Sequence, residues 1–322
     1  MKAIVQERYG SADVLELGDI DPPVAGSKDV LVRVHAAGVD PGVWHLMTGF
    51  PRMIRLGYGL RKPKMPVRGA DFSGRVERVG REVSGLKPGD EVYGVGRGSF
   101  AEYVSARQDK VAPKPRNLSF EQAAVVPISG MTALQALRDK GNLQAGQTVL
   151  VLGAGGGVGT FAVQIAKAWE AEVTGVCSTG KVDLVRSIGA DDVIDYTRHD
   201  VTEMGRSYDL ILDTAGNRPL RHLRRALTPR GTLVIIGGEG GGPWLGGIDR
   251  QLRAILLSSL VSQKLFGLIS PERREDLEVL TELIEAGKVV PVIDRTYRLA
   301  DAAEAIRYME EGHARGKVVL TV

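Results

Sequence analysis

The chain has 322 residues, enough for two domains or one large one, and its 43% hydrophobic content supplies real cores. A net charge of +3 is too small to point to nucleic acid or a membrane surface as partner, and no apolar run reaches the length of a membrane span. The single cysteine, Cys177, excludes an internal disulfide and any multi-cysteine zinc lobe; with a strand-like start at Met1–Gln6, the composition fits a soluble cytoplasmic protein.

Residues 1–117 read as mostly β. Short runs at Ala3–Gln6, Val30–His35, Gly74–Val79, Glu91–Val95 and Ala101–Val104 are separated by Gly, Pro and Asp, and one short helix is predicted at Val43–Met47. Between Pro41 and Ala70 there is no acidic residue, while Arg52, Arg55, Arg61, Lys62, Lys64 and Arg68 accumulate among glycines and prolines. That loop is either a solvated face or a surface that attracts an anionic ligand. From Ser119 the texture changes: Ser119 with Gln122 forms a capping-box pair, and Ala123–Leu137 reads as helix. Strands then alternate with helices through Val149–Leu152, Phe161–Trp169, Glu172–Val176, Val182–Ile188, Leu210–Asp213, Leu220–Leu227 and Thr232–Ile236. Such alternation predicts an α/β fold, a parallel sheet with helices on both faces. Helices at Glu272–Ala286 and Ala300–Glu311 lead to a closing strand at Lys317–Val322.

Gly146–Lys167 organises this half. The unbroken apolar run Val149–Leu152 predicts a strand buried on both faces. Five glycines follow within the seven residues Gly153–Gly159, and Phe161, Ile165 and Ala168 return at helical spacing. Strand, glycine turn and helix in that order form a dinucleotide fingerprint, here Ala154-Gly155-Gly156-Gly157-Val158-Gly159. Gly156 lets the backbone approach a pyrophosphate, Gly159 lets the helix pack on the strand, and the helix directs unpaired N–H groups at the phosphates. About twenty positions on, an NAD enzyme carries an Asp or Glu for the ribose 2′-hydroxyl. Here the second strand ends in Cys177-Ser178-Thr179-Gly180-Lys181, with hydroxyls and a lysine in place of the carboxylate. The expected cofactor is therefore NADPH. The glycine-rich stretch Gly237–Gly247 follows a strand and so lies at the carboxyl edge of the sheet, as a ligand loop with Trp244 as a cover or as a surface loop.

Landmarks run along essentially the whole chain: Ala36-Ala37-Gly38-Val39, Gly69-Ala70-Asp71-Phe72-Ser73-Gly74, Lys87–Gly94, Ala101–Val104, Gly130-Met131-Thr132-Ala133, Asp213-Thr214-Ala215-Gly216 and Gly316–Leu320. Together with the Gly146–Lys167 turn, the sequence resembles the zinc-free quinone oxidoreductase and zeta-crystallin branch of the medium-chain dehydrogenase/reductase superfamily. The resemblance implies a GroES-like β domain built from 1–117 and 271–322, a Rossmann domain over 118–270, an active site in the cleft between them, and a homodimer. In the zinc members a Cys, a His and a second Cys hold the catalytic metal. Those positions are Asp40, Ala70 and Ser129 here, so no metal is expected.

By the same resemblance Tyr196 lies near the 2′-phosphate, Gly237 belongs to the cofactor edge, and Lys317 lies nearer the pyrophosphate or nicotinamide end. Asp40 and Thr132 are the candidates for the chemistry. The family usually has Asn at position 40, and Asp40 either holds a ribose hydroxyl or caps the helix after Pro41. The expected activity is NADPH-dependent hydride transfer to a quinone or to the β-carbon of an α,β-unsaturated carbonyl. Its rivals are an alcohol dehydrogenase or ketone reductase and an NADPH-binding structural or regulatory protein. RNA is disfavoured, because no aromatic-basic stacking platform is present.

Overall fold

The structure, a computed structural model, describes residues 1–201, 204–238 and 242–322. The chain divides into one unit of Met1–Met131, Pro271–Ala286 and Pro291–Val322 and another of Thr132–Ser270 with Gly287–Val290. By this division the first segment of the β-rich unit runs to Met131, where the expectation set a boundary at 117. Ala124 and Val125 pack with Ala36 and Val319, which keeps the segment after Ser119 with the β-rich unit.

That unit begins with strands β1 (Lys2–Val5) and β2 (Glu16–Asp19), an antiparallel pair. The long strand β3 (Asp29–Val39) is followed by helices α1 (Pro41–Thr48) and α2 (Arg55–Tyr58). Next come β4 (Asp71–Val79), β5 (Glu91–Val95), β6 (Tyr103–Arg107) and β7 (Val111–Pro113), then α3 (Phe120–Ala124) and α4 (Pro127–Gln135). The helix expected over Ala123–Leu137 is thus interrupted. Pro127 has no N–H to continue α3, but its fixed φ suits the first position of a new helix. The capping box forms as read: Ser119 Oγ accepts from Gln122 N at 3.2 Å, and Ser119 N donates to Gln122 Oε1 at 3.0 Å. Past α4, residues Ala136–Lys140 widen into a π turn, with Gly141 N donating to Ala136 O.

The second unit contains β8 (Thr148–Leu152), α5 (Gly157–Ala168), β9 (Glu172–Cys177), α6 (Val182–Ser187), β10 (Asp192–Asp195) and β11 (Tyr208–Asp213). It continues with α7 (Leu220–Arg225), β12 (Leu227–Ile235), α8 (Ile248–Ser258) and β13 (Lys264–Gly267). Its six strands are all parallel, in the order β10-β9-β8-β11-β12-β13. Counted from β8, this is the 3-2-1-4-5-6 order of a dinucleotide fold. Leu150, Leu152, Ile211, Leu233 and Ile235 fill the sheet's core with the helices around it. β8 and β11 flank the point where the strand order reverses, and their carboxyl ends define the ligand edge.

The chain then returns to the first unit through α9 (Arg274–Glu285), β14 (Ile293–Arg298), α10 (Ala302–Glu310) and β15 (Lys317–Thr321). Tyr93 of β5, fully buried, anchors α9 by donating its hydroxyl to Leu277 O at 2.6 Å. The sheet runs β14-β15-β3-β4-β5-β7, with β6 also on β3. Val30, Val32, Val34, Phe72, Val92, Val104, Val318 and Leu320 form its core.

Candidate functional site

In the nucleotide-binding unit, the turn after β8 is built on close backbone approaches. Gly153 sits at φ 81°, a left-handed conformation that favours glycine, and Gly153 N and Ala154 N both donate to Val176 O at 3.0 Å. A Cβ at Gly159 would stand 2.1 Å from Gly153 O and 2.7 Å from Ala154 Cα, so only glycine lets α5 seat against the turn. Gly156 differs: among the described residues a Cβ there would meet only Gly153 O, at 3.4 Å. The protein leaves that side open, as an approaching pyrophosphate requires. Gly156 is the N-cap of α5, which starts at Gly157, four residues before the expected Phe161. The first-turn amides of Gly157, Val158 and Gly159 therefore have no partner within the helix and present positive partial charge. A Cβ at Gly155 would lie 2.9 Å from both Cβ and Cδ of Lys181, so the lysine stem passes over the turn. This cradle fits a dinucleotide pyrophosphate.

The end of β9 is richer than the sequence reading. β10 pairs with β9, and Asp195 stands opposite Cys177. Thr179 Oγ1 donates to Asp195 Oδ2 at 2.6 Å, and Thr197 N and Oγ1 donate to Asp195 Oδ1 at 2.9 and 2.7 Å. The Thr179 bond, followed by those from Thr197 and the charge of Arg198, holds the Asp195 carboxyl below its usual range. A carboxylate does reach this edge, from β10 and not from β9, and it commits Thr179 to itself. The expectation that hydroxyls stand in place of a carboxylate is corrected to that extent. The local sequence signal was Asp195-Tyr196-Thr197, an acidic residue placed to accept from the backbone two positions on. Ser178 is half-buried and Tyr196 is 54% exposed, both at the same sheet edge. Cys177 is buried, and burial pushes its thiol up to about 11, so it is no nucleophile at neutral pH.

Gly237 closes the neighbouring part of that edge. A Cβ on it would stand 2.0 Å from Thr214 O, and its own N–H donates to Asp213 O at 3.1 Å. Asp213 is fully buried; its Oδ1 accepts from Gly216 N and its Oδ2 pairs with Arg250 of α8, which also donates to Arg218 O. Sequence reading missed this clamp because Asp213 and Arg250 are far apart in the chain and α8 carried no boundary signal. Residues 239–241 of the Gly237–Gly247 loop lie outside the described residues.

In the β-rich unit, three ionisable side chains meet at one end of three adjacent strands. Lys317 is the first residue of β15, Asp71 the first of β4, and Asp40 directly follows β3. The register pairs Val318 with Val39 and Ala37 with Phe72, which brings these ends level. Relative exposures are 4% for Lys317, 0% for Asp71 and 3% for Asp40. Lys317 Nζ stands 3.5 Å from Asp71 Oδ2, and Ile128 N at the start of α4 donates to Asp71 Oδ1 at 3.0 Å. Burial pushes the Asp71 carboxyl up to about 7, with Asp40 adding to the rise and Lys317 and the Ile128 amide opposing it. Asp40 Oδ1 accepts from Gly42 N at 2.7 Å, so the cap on α1 is formed and uses one of the two carboxylate oxygens. Among the described residues, Asp40 Oδ2, Asp71 Oδ2 and Lys317 Nζ have no hydrogen-bond partner. Thr132, the first residue of the other unit, is buried on α4.

The residues that the resemblance sets at the zinc-ligand positions do not fit a metal. Ala70 offers no donor, Ser129 only a hydroxyl, and Asp40 already spends one oxygen on Gly42 N. Among the described residues no group of three or more His, Cys, Asp or Glu side chains is arranged to hold an ion. The basic loop is partly structural. Arg55 donates to Gly49 O and Thr48 O and lies over the Tyr9 ring, and buried Arg68 donates to Leu46 O and Met65 O. Those two cations serve backbone carbonyls. Among the described residues no helix is long and apolar enough to cross a membrane.

Comparison with known proteins agrees with this architecture. An alcohol dehydrogenase GroES-like domain matches residues 26–116, and a zinc-binding dehydrogenase domain matches residues 188–320. The chain is 35% identical, over 100% of its length and 89% of the relative, to "NAD(P)H oxidoreductase RTN4IP1, mitochondrial" of Bos taurus. It is 33% identical, over 99% of its length and 79% of the relative, to the "NADPH-dependent alkenal/one oxidoreductase, chloroplastic" of Arabidopsis thaliana. The solved quinone oxidoreductase of Coxiella burnetii superposes with a TM-score of 0.89 at 30% identity, covering 100% of this chain and 99% of the other. Similarity over the full length, joined to a glycine cradle and a GroES-like partner domain, makes this chain a nicotinamide-dependent oxidoreductase of the quinone oxidoreductase branch of the medium-chain dehydrogenase/reductase superfamily.

Proposed function

We infer that the protein is an NADPH-dependent reductase of conjugated carbonyl acceptors, quinones or α,β-unsaturated aldehydes and ketones. The observation that carries the cofactor choice is the stem of Lys181 lying over Gly155, beside Ser178 and an Asp195 whose oxygens are occupied by Thr179 and Thr197. When bound, the nicotinamide supplies the hydride. The chain's part is to hold the pyrophosphate at Gly155–Gly159 and to offer Lys181 and Ser178 to the 2′-phosphate. Names of relatives that reduce alkenals, alkenones or quinones support the acceptor class. Oxidation of NADPH by a small enone and by a benzoquinone tests the reading, and binding without turnover of either would overturn it.

Lys181→Ala is expected to weaken NADPH binding by about 10- to 100-fold and NADH binding by less than about twofold, because a charge-assisted bond to phosphate contributes roughly 1.5–3 kcal/mol. Fluorescence titration of both cofactors reads this directly. Equal losses would remove Lys181 from the 2′-phosphate.

The assembly we propose is a homodimer. On α8, Leu252, Ile255 and Leu256 are 51%, 51% and 71% exposed, and Leu260 just beyond is 81% exposed. They form one apolar stripe at helical spacing. Next to α8, β13 pairs only with β12, leaving one backbone edge open among the described residues. The same stripe and edge on a second copy satisfy both needs about a two-fold axis. Leu256→Glu is expected to yield monomers in sedimentation velocity, and a monomeric wild type would remove the proposal. The single, buried Cys177 is compatible with the reducing cytoplasm we propose as its setting.

A further inference from the structure

A 2′-phosphate at the end of β9 would arrive beside a carboxylate. The bond from Thr179, those from Thr197 and the charge of Arg198 hold the Asp195 carboxyl below its usual range, so it is ionised at neutral pH. Because a phosphate monoester carries about −1.5 to −2 charges at pH 7, the two groups bring roughly −2.5 to −3 to one strand end, against the single charge of Lys181. Thr179 is not free to help. Its one hydroxyl hydrogen goes to Asp195 Oδ2 at 2.6 Å, and that of Thr197 goes to Asp195 Oδ1 at 2.7 Å. Either threonine reaches a phosphate oxygen only by giving up a bond to a charged acceptor.

A second cation flanks this strand end. Arg198 Nε stands 3.6 Å from Asp195 Oδ2, the oxygen that Thr179 also holds. At that length, and with its side chain 70% exposed, the contact stabilises little as an ion pair. Among the described residues it engages Nε and leaves the four N–H groups of the terminal nitrogens for another acceptor. The two cations come from opposite sides. Lys181 passes its stem over Gly155 in the turn after β8, whereas Arg198 follows β10, and β8 and β10 are the two neighbours of β9. Ser178 directly follows β9, at the end they flank. Arg186 also acts on Cys177, but it lies in the last turn of α6, which starts at the carboxyl edge and runs away from it.

We propose that Arg198 is a specificity-determining residue of the cofactor site, its guanidinium offsetting Asp195 and donating to the 2′-phosphate opposite Lys181. This rests on the reading that the protein takes NADPH. Asp195 keeps the arginine at the edge before the cofactor arrives, and the two threonines keep the Asp195 oxygens occupied. The phosphate then meets two cations and the Ser178 hydroxyl, while the carboxylate is offset. A ribose with a free 2′-hydroxyl has no charge for Arg198 to bind. The residue therefore separates the two dinucleotides without taking part in the pyrophosphate cradle.

The test is calorimetric titration of the full-length protein with adenosine 2′,5′-bisphosphate and with adenosine 5′-monophosphate, which differ only in the 2′-phosphate. The ratio of their affinities reads recognition of that phosphate and cancels effects shared by both ligands. Arg198→Gln is expected to lower the ratio by about tenfold, the lower end for a charge-assisted bond because the arginine is exposed. Arg198→Lys, which keeps the charge without the fork, should recover part of that loss. Arg225→Gln removes an exposed cation at the end of α7, beside the amino ends of the strands, and should leave the ratio within about twofold.

An unchanged ratio in Arg198→Gln would overturn the proposal. An equal fall in Arg225→Gln would overturn it too, by making the effect one of net charge. A wild type that binds both adenosine phosphates equally is a different result. It would overturn the NADPH reading itself, and this assignment with it.

Discussion

Gly159→Ala is expected to destabilise the nucleotide-binding unit by about 3 kcal/mol or more, the upper end for forcing atoms into a filled site. The added Cβ would stand 2.1 Å from Gly153 O and 2.7 Å from Ala154 Cα, and both are backbone atoms that cannot rotate aside. Either α5 lifts off the turn or Gly153 and Ala154 lose their hold on Val176 O. Gly156→Val is the matched contrast. Its Cβ would meet only Gly153 O among the described residues, at 3.4 Å, and Gly156 has the extended backbone of an N-cap that any residue adopts. Stability should therefore change by no more than about 1 kcal/mol. The valine would instead fill the space through which a pyrophosphate reaches the amides of Gly157–Gly159. NADPH binding should weaken by at least about 100-fold, or roughly 2.7 kcal/mol. Denaturant unfolding and cofactor titration on the two variants give opposite patterns if the cradle is a binding site. A Gly156→Val protein that binds NADPH normally would show that the turn is only a packing device.

The second large effect concerns the acceptor. Hydride added to a quinone or to an enone β-carbon leaves charge spread over a conjugated system, which accepts a proton from water or a weak donor. A simple ketone leaves a localised alkoxide that needs a metal or a positioned acid. The residues that the resemblance sets at the zinc-ligand positions are Asp40, Ala70 and Ser129, and Asp40 spends Oδ1 on capping α1. An enone is therefore expected to be reduced at least about 1,000-fold faster than its saturated ketone, within the 10²–10⁴-fold that a missing acid–base group represents. Asp40→Asn is the control. The amide oxygen can accept from Gly42 N as the carboxylate does, so the cap survives. Enone reduction by the variant should stay within about tenfold of wild type, equivalent to 1.4 kcal/mol of transition-state energy. Equal turnover of ketone and enone, with collapse on Asp40→Asn, would make Asp40 the acid and the enzyme a ketone reductase.

What could be read without coordinates was local. The strand, glycine turn and helix around Gly153–Gly159, the Ser119–Gln122 capping box and the closing strand at Lys317 each depend on residues within one or two turns of chain, where periodicity and backbone sterics act directly. Even there, the proline at 127 split a run whose apolar pattern read as one helix. The short strands β10 and β13 escaped because four residues in a parallel sheet carry little pattern of their own. With β10 went Asp195, whose hold on Thr179 depends on a neighbouring strand.

The other determinants are set by register and burial. Asp40, Asp71 and Lys317 are separated by long stretches of chain and look like unrelated polar residues until three strand ends are aligned. Only then does an aspartate become fully buried beside a lysine, where burial pushes its carboxyl up to about 7. Asp213 and Arg250 meet for the same reason. The amino-acid sequence by itself determined the two kinds of domain and the phosphate cradle, because those follow from the conformational preferences of neighbouring residues. The tertiary structure alone decided which charges share a dry site, because desolvation depends on everything packed around a group and not on its neighbours in the chain.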